Sequence, residues 1–220
     1  MKHHLALILW IFLVAAIPEN LSARTGAPDG NLKGNETKIE EWKDARFGMF
    51  IHWGPVSLKG TEIGWSRGRE IPVEEYDQLY KQFNPVNFDA GEWVSVAKAA
   101  GMKYIILTTK HHDGFCLWNT RQTEYNIMNS PFGRDVVKEL SEACRKQGIA
   151  FGTYYSTCDW HHPDFPLTSP GGRVEREKSD LEAYTTYLKR QVAELLVNYG
   201  PLFVLWFDVP QRFDAARGQG

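Results

Sequence analysis

The stretch Leu202-Phe203-Val204-Leu205-Trp206-Phe207-Asp208 decides how the rest of the chain is read. Six apolar residues run directly into one carboxylate, the pattern of a strand buried on both faces whose first residue past the core is acidic. In a parallel α/β architecture the carboxyl ends of the strands form the reactive face, which makes Asp208 a catalytic candidate. Capping of the following turn is the other common use of an Asp at such a place, and the stretch alone leaves both readings open.

Upstream, the same unit recurs: amphipathic helix, Gly stop, apolar strand, polar residues at the strand's end. A first strand over residues 47–53 includes His52 and is closed by Gly54-Pro55. The excursion from Pro55 to Phe88 holds Glu62, Trp65 and Arg67 in a Gly-rich loop and predicts a helix over 73–82. Asp89 caps a helix with Trp93, Val96, Ala97 and Ala100 at i, i+3, i+4 and i+7, stopped by Gly101. A second strand, Lys103 to Thr109, delivers Lys110-His111-His112-Asp113-Gly114. Asp135 opens a helix that Gln147-Gly148 closes, and a third strand over 149–156 ends in Tyr154-Tyr155-Ser156. The helix expected over 175–198 presents Leu181, Tyr184, Leu188, Val192, Leu195 and Tyr199 on one side and stops at Gly200-Pro201.

Strands alternating with helices imply right-handed crossovers and a parallel sheet, either an open doubly wound sheet or a (β/α)8 barrel. No G-x-G-x-x-G or G-x-x-x-x-G-K loop follows the first strand, so a nucleotide-binding open sheet lacks its usual signature. Long loops after the strands carry the unusual residues, which favours the barrel. A barrel has eight units and about 250 residues. Four units are legible, so residues 39–220 read as the first half of a TIM-like barrel, an incomplete catalytic domain.

The formal net charge of −2 gives no basis for nucleic-acid binding. Lys2, His3 and His4 precede the apolar run Leu5 to Ile17, and the small residues Ser22-Ala23 follow. This is the layout of a secretory signal peptide over residues 1–23, too short to remain as a membrane span, and it predicts a secreted or periplasmic protein. Residues 24–38 read as a linker. Cys116, Cys144 and Cys158 make an odd count, leaving at least one thiol outside any internal disulfide. Cys144 falls on the apolar face of its helix with Val136, Val137 and Leu140, whereas Cys116 and Cys158 follow strands and their pairing is open.

Collected by strand end, the polar residues are His52, then His111 and His112, then Tyr154, then Asp208. Any one of them is most simply a hydrogen-bonded structural residue. Four successive strand ends that each present a donor or an acid suggest a pocket that grips several hydroxyls while one carboxylate meets a carbon centre.

The segments Phe47-Gly48-Met49-Phe50-Ile51-His52-Trp53-Gly54, Thr108-Thr109-Lys110-His111-His112-Asp113-Gly114-Phe115, Gly152-Thr153-Tyr154-Tyr155-Ser156 and Leu205-Trp206-Phe207-Asp208 resemble the α-L-fucosidases of glycoside hydrolase family 29. The resemblance runs in order from about Ile39 to Asp214. It implies a retaining exo-glycosidase acting on fucosylated oligosaccharides or glycoconjugates, with no cofactor and no metal. Asp208 would be the nucleophile, and His52, His111, His112, Tyr154 and Trp206 would line the fucose pocket. Glu62 and Trp65 would join them, although here Ile63-Gly64 separates two residues that family members often place side by side. The loop Gly60 to Arg67 is closer to the branch acting on α-1,3/1,4-linked fucose, and the general acid/base would lie beyond Gly220.

A retaining glycosidase needs two carboxyl groups roughly 5 Å apart. An ionised Asp208 needs hydrogen-bond donors, for which the pocket histidines and the indole N–H of Trp206 are candidates. Trp53, Phe115 and Trp118 are candidates for an apolar wall against the sugar methyl group, and equally for core. Two rival readings remain. One is a metal-dependent hydrolase using His52, His111, His112, His161, His162 and Asp208, which requires a distorted strand end because adjacent strand residues point to opposite faces. The other is a sugar-binding protein without turnover.

Overall fold

The structure, a computed structural model, describes residues 35–168 and 175–209. The expected signal segment, residues 24–34 of the linker, Pro170 and residues 210–220 lie outside the described residues.

Four strands, β1 (Gly48–Ile51), β2 (Tyr104–Lys110), β3 (Ala150–Ser156) and β4 (Leu205–Asp208), form one parallel sheet in the order β1-β2-β3-β4. The order settles the choice between the two α/β architectures. A doubly wound sheet reverses its strand order at a switch point, whereas here each strand is added beyond the last, as in the wall of a (β/α)8 barrel. The fold is therefore α/β, with the topology of the first half of a TIM-like barrel.

Helices α3 (Ala90–Ala99), α4 (Val136–Gln147) and α5 (Leu181–Asn198) make the three crossovers. Each starts where an Asp can cap it: Asp89 accepts from the Glu92 N–H, Asp135 from Lys138, and Asp180 from Glu182 and Ala183. Gly148 closes α4 at φ 74°, a conformation glycine adopts without Cβ strain. The odd-numbered residues Ile105, Leu107, Phe151 and Tyr155 face the helices and share a buried core with Val94, Val137, Leu140 and Cys144. The even-numbered residues Ile106, Thr108, Tyr154, Trp206 and Asp208 therefore face the opposite, barrel-lumen side. Gly152 is on that side, where a Cβ would stand 2.9 Å from the Val204 carbonyl, so β3 and β4 can approach as they do only with glycine there.

Several sequence expectations need correction. The stretch Leu202–Phe207 is not a strand buried on both faces. Only Leu205–Asp208 is strand, it lies at the edge of the sheet, and Trp206 and Phe207 are 44% and 48% exposed. An apolar run reports what a strand prefers to bury, not what covers it. In α3 the buried face is Ala90, Val94 and Ala97, while Val96 is 57% exposed, because the helix rotates its small residues inward on the side where α4 lies. The helix expected over 73–82 is two short turns, α2 (Val73–Tyr76) and a 3-10 turn at Leu79–Gln82. The helix expected from Glu175 begins six residues later, at the Asp180 cap. A helix the sequence reading passed over, α1 (Glu36–Ala45), takes in residues 36–38 of the expected linker, is capped by Asn35 and buries no residue. Cys116, Cys144 and Cys158 are all buried thiols, so no disulfide joins Cys116 to Cys158. Among the described residues no helix is long and apolar enough to cross a membrane.

Candidate active site

The site is built where the strands end. Between Thr108 and Lys110 the β2–β3 register shifts by one residue. This irregularity turns Lys110 to the helix side, with its ammonium 4.4 Å from the Tyr155 ring centroid. The strand ends there, and strict alternation no longer applies to His111 and His112. Their rings lie 4.1 Å apart at the same strand end. The distortion that two adjacent histidines require is present.

His52, just past β1, places its ring 5.6 Å from His111 and 5.7 Å from Tyr154. His111 stacks on Tyr154 at 5.6 Å with an interplanar angle of 13°. His112 is held between Trp65 at 5.2 Å and Trp160 at 5.1 Å. Asp208, the last residue of β4, accepts a hydrogen bond of 2.7 Å at Oδ2 from the Tyr154 hydroxyl, and the His112 Nε2 lies 3.9 Å from the same oxygen. The donor to Asp208 is thus a phenol rather than the histidines or the Trp206 indole. Trp206 instead tilts against Phe50 at 5.4 Å. Glu62 and Trp65 line a pocket of about 350 Å³ together with His52, Trp53 and His111, so the loop after β1 closes over the imidazoles. Trp53 borders that pocket, whereas Phe115 and Trp118 are core.

Burial dominates the electrostatics. It lowers the His111 pKa to about 2, helped by His112 and His52, and lowers that of His112 to about 4 against the opposing pull of Asp208. His52 is lowered by burial as well, with Asp208 again opposing. Burial and the adjacent Asp208 carboxylate push the Tyr154 phenol up, so it remains a donor. At neutral pH the carboxylate is therefore surrounded by neutral imidazoles and one phenol. That set can hydrogen-bond several hydroxyls of a ligand while leaving the second carboxylate oxygen of Asp208 open to it.

A second layer fixes these groups, and here the sequence reading was incomplete. Tyr76 accepts from the Gly64 N–H at 2.8 Å and donates to Asp113 Oδ2 at 2.7 Å, tying the Glu62–Trp65 loop to the loop after β2. Arg67 binds both oxygens of Asp77 at 2.7 Å and donates to the Thr168 carbonyl at 2.8 Å. Asp159 pairs with Lys110 at 3.3 Å and accepts from the His161 and His162 backbone N–H groups. Asp113 and Asp159 each stand beside the histidines in sequence, which was the available signal. Tyr76 had none. The side chains of His161 and His162 turn elsewhere, His161 stacking on Tyr125 at 4.0 Å and His162 lying 4.2 Å from Tyr187. Among the described residues no three His, Cys, Asp or Glu side chains form a group that could hold a metal ion.

A parallel β/α barrel wall with one carboxylate among neutral polar side chains at its strand ends places hydrogen-bonding groups on the face where barrels of this kind carry their sites. Comparison with known proteins narrows this. Residues 28–217 match the alpha-L-fucosidase family, and the chain belongs to that family. It is 34% identical over 193 residues to plasma alpha-L-fucosidase of Homo sapiens, covering 78% of this chain and 39% of that protein. It is similar to the solved structure of alpha-L-fucosidase isoenzyme 1 from Paenibacillus thiaminolyticus, with a TM-score of 0.73 and 44% identity over 79% of this chain and 43% of that one. A fucosidase from Bacteroides thetaiotaomicron, solved as a trapped covalent intermediate with 2-fluoro-fucosyl fluoride in a glutamate-to-glutamine mutant, aligns with a TM-score of 0.70 and 33% identity, covering 80% and 42% of the two chains. The chain thus spans less than half the length of each of these relatives.

Proposed function

We propose that the protein is a retaining exo-glycosidase that releases terminal α-L-fucose from fucosylated oligosaccharides or glycoconjugates, with Asp208 as nucleophile. The observation that carries this reading is the position of Asp208. It ends β4 with one oxygen held by the Tyr154 hydroxyl at 2.7 Å, amid imidazoles that burial keeps neutral. An ionised carboxylate so held can attack an anomeric carbon, while His52, His111, His112, Glu62, Trp65 and Trp206 supply the donors, acceptors and flat faces that a deoxy sugar requires. The covalent intermediate trapped in the Bacteroides relative supports double displacement. The reaction also needs a carboxyl group to protonate the leaving oxygen, a role assigned to no described residue.

In the first step Asp208 forms the glycosyl–enzyme ester as the protonated aglycone departs; in the second, water hydrolyses that ester with retention. The basic and apolar residues between Lys2 and Ala23 support export, in keeping with the plasma relative. The test is Asp208→Gly, which is expected to lower release of an aryl α-L-fucoside by a factor on the order of 10³ or more while the circular dichroism spectrum is unchanged. Turnover at the wild-type rate would remove the nucleophile assignment.

A further inference from the structure

Ser156 ends β3 at the register position paired with Asp208, and its hydroxyl is wholly buried. Three polar atoms surround it: His112 Nδ1 at 2.6 Å, the Cys158 carbonyl at 3.0 Å and the Cys158 N–H at 3.1 Å. A hydroxyl has one proton and two lone pairs, so all three contacts are satisfied in only one way. The proton goes to the Cys158 carbonyl, and the lone pairs accept from the Cys158 N–H and from His112 Nδ1. His112 must then carry its proton on Nδ1, leaving a lone pair on Nε2.

The other end of the ring agrees. An N–H directed at a carboxylate closes to about 2.8 Å, as charge-assisted hydrogen bonds do. The separation between His112 Nε2 and Asp208 Oδ2 is 3.9 Å, the spacing of two acceptors rather than of donor and acceptor. The ring cannot exchange its two edges without displacing Trp65 and Trp160, which flank it, and the His112 carbonyl is tied to the Trp160 N–H at 2.8 Å.

We infer that Ser156 is a positioning residue that fixes the His112 tautomer, so that Nε2 faces the pocket as a hydrogen-bond acceptor and never as a donor to Asp208. Two consequences follow. The Tyr154 hydroxyl becomes the side chain that holds the Asp208 carboxylate, and His112 selects a ligand hydroxyl that donates. A ligand with an ether or carbonyl oxygen at that place would set lone pair against lone pair. The selection of a hydroxyl rests on the reading of the pocket as a sugar site, whereas the tautomer does not.

The experiment is a long-range proton–nitrogen correlation spectrum of the protein's imidazoles at neutral pH, with the His112 signals assigned by their loss in His112→Gln. In the wild type the Nδ1 of His112 is expected to show the shift of a protonated ring nitrogen and Nε2 that of a bare one. Ser156→Ala should move the proton to Nε2 in whole or part, and Ser156→Thr, which keeps the hydroxyl, should restore the wild-type pattern. Wild-type protein with the proton on Nε2 overturns the inference, as does an unchanged tautomer in Ser156→Ala. The wild-type spectrum decides even if a variant fails to fold, and it is independent of any fucosidase turnover, so a failed activity assay and a failed tautomer assignment are separately visible.

Discussion

On the helix side of β2 and β3, the ammonium of Lys110 is wholly buried, paired with Asp159 at 3.3 Å and set over the ring of Tyr155. On the lumen side, at the end of β4, Asp208 keeps 41% of its side chain exposed, takes its hydrogen bond from Tyr154, and faces the bare side of His112 across 3.9 Å. Both regions carry opposite or complementary polar groups at the carboxyl ends of the sheet's strands. In the first, the surrounding protein occupies the hydrogen-bonding capacity of the pair: Asp159 also holds two backbone N–H groups, and Lys110 reaches the Tyr184 hydroxyl. In the second, capacity is left over and pointed at open space. Saturated polar burial fixes the geometry of a strand end, and unsaturated polar grouping is what a ligand can use.

The contrast can be broken from either side. The largest effect is expected from Lys110→Met, which leaves the Asp159 carboxylate buried without its cation. Denaturant unfolding should show a loss of about 3–5 kcal/mol. A loss within experimental error of zero would mean the helix-side pair is not structural. An effect of similar order lies on the acid limb of stability. The pKa values of His111 and His112 are lowered to about 2 and about 4, so the folded state binds fewer protons than the unfolded chain below pH 6.5. Their contribution is fully present above that pH and is lost as pH falls, at about 1.4 kcal/mol per unit from each ring. Asp113, raised to about 6 chiefly by burial, acts in the opposite sense, stabilising the fold as it is protonated. Stability should therefore fall between pH 6 and pH 4, and His111→Asn should flatten that fall by about 3 kcal/mol across the two units. An unchanged slope in the variant would place the acid sensitivity elsewhere. Smaller again is Tyr154→Phe, which removes the hydrogen bond to Asp208. It should slow fucoside release by about 10–100-fold while changing unfolding free energy by about 1 kcal/mol. An equal loss on both measures would make Tyr154 a structural residue like Lys110.

The fold and the lumen-side residues of this contrast were legible in the sequence, because the β/α periodicity and the strand-end polar residues are local signals, whereas the Lys110–Asp159 pair was not. The Gly148 stop and the Asp89 and Asp135 caps appear as expected, since each acts within one helical turn. What failed to show depends on contacts distant in sequence. The stripe of α3 turned because α4 lies beside it, and the burial expected of Leu202–Phe207 failed because β4 lies at the sheet's edge. The expected 73–82 helix breaks near Asp77, whose carboxylate is held by Arg67 ten residues earlier. α1 passed unread because it buries nothing, its local signals being the Asn35 cap and the surface pairs Lys38–Glu41 and Glu40–Lys43. The resemblance named both His111 and His112 for the pocket, but how two adjacent residues reach one side was not legible, since the irregularity before Lys110 is a property of the β2–β3 pairing. Ser156 could be named as the end of the third strand, but not its contact with His112, which arrives from the loop after β2.

As the proposed nucleophile, the open carboxylate at the end of β4 should bond to the sugar. The direct measurement is mass spectrometry of peptides after exposure of the protein to 2-fluoro-fucosyl fluoride, in which slowed hydrolysis lets the glycosyl–enzyme ester accumulate. The prediction is a single fluorofucosyl adduct on the peptide carrying Asp208, absent in Asp208→Gly. An adduct on another carboxylate, or turnover with no adduct at all, would contradict it.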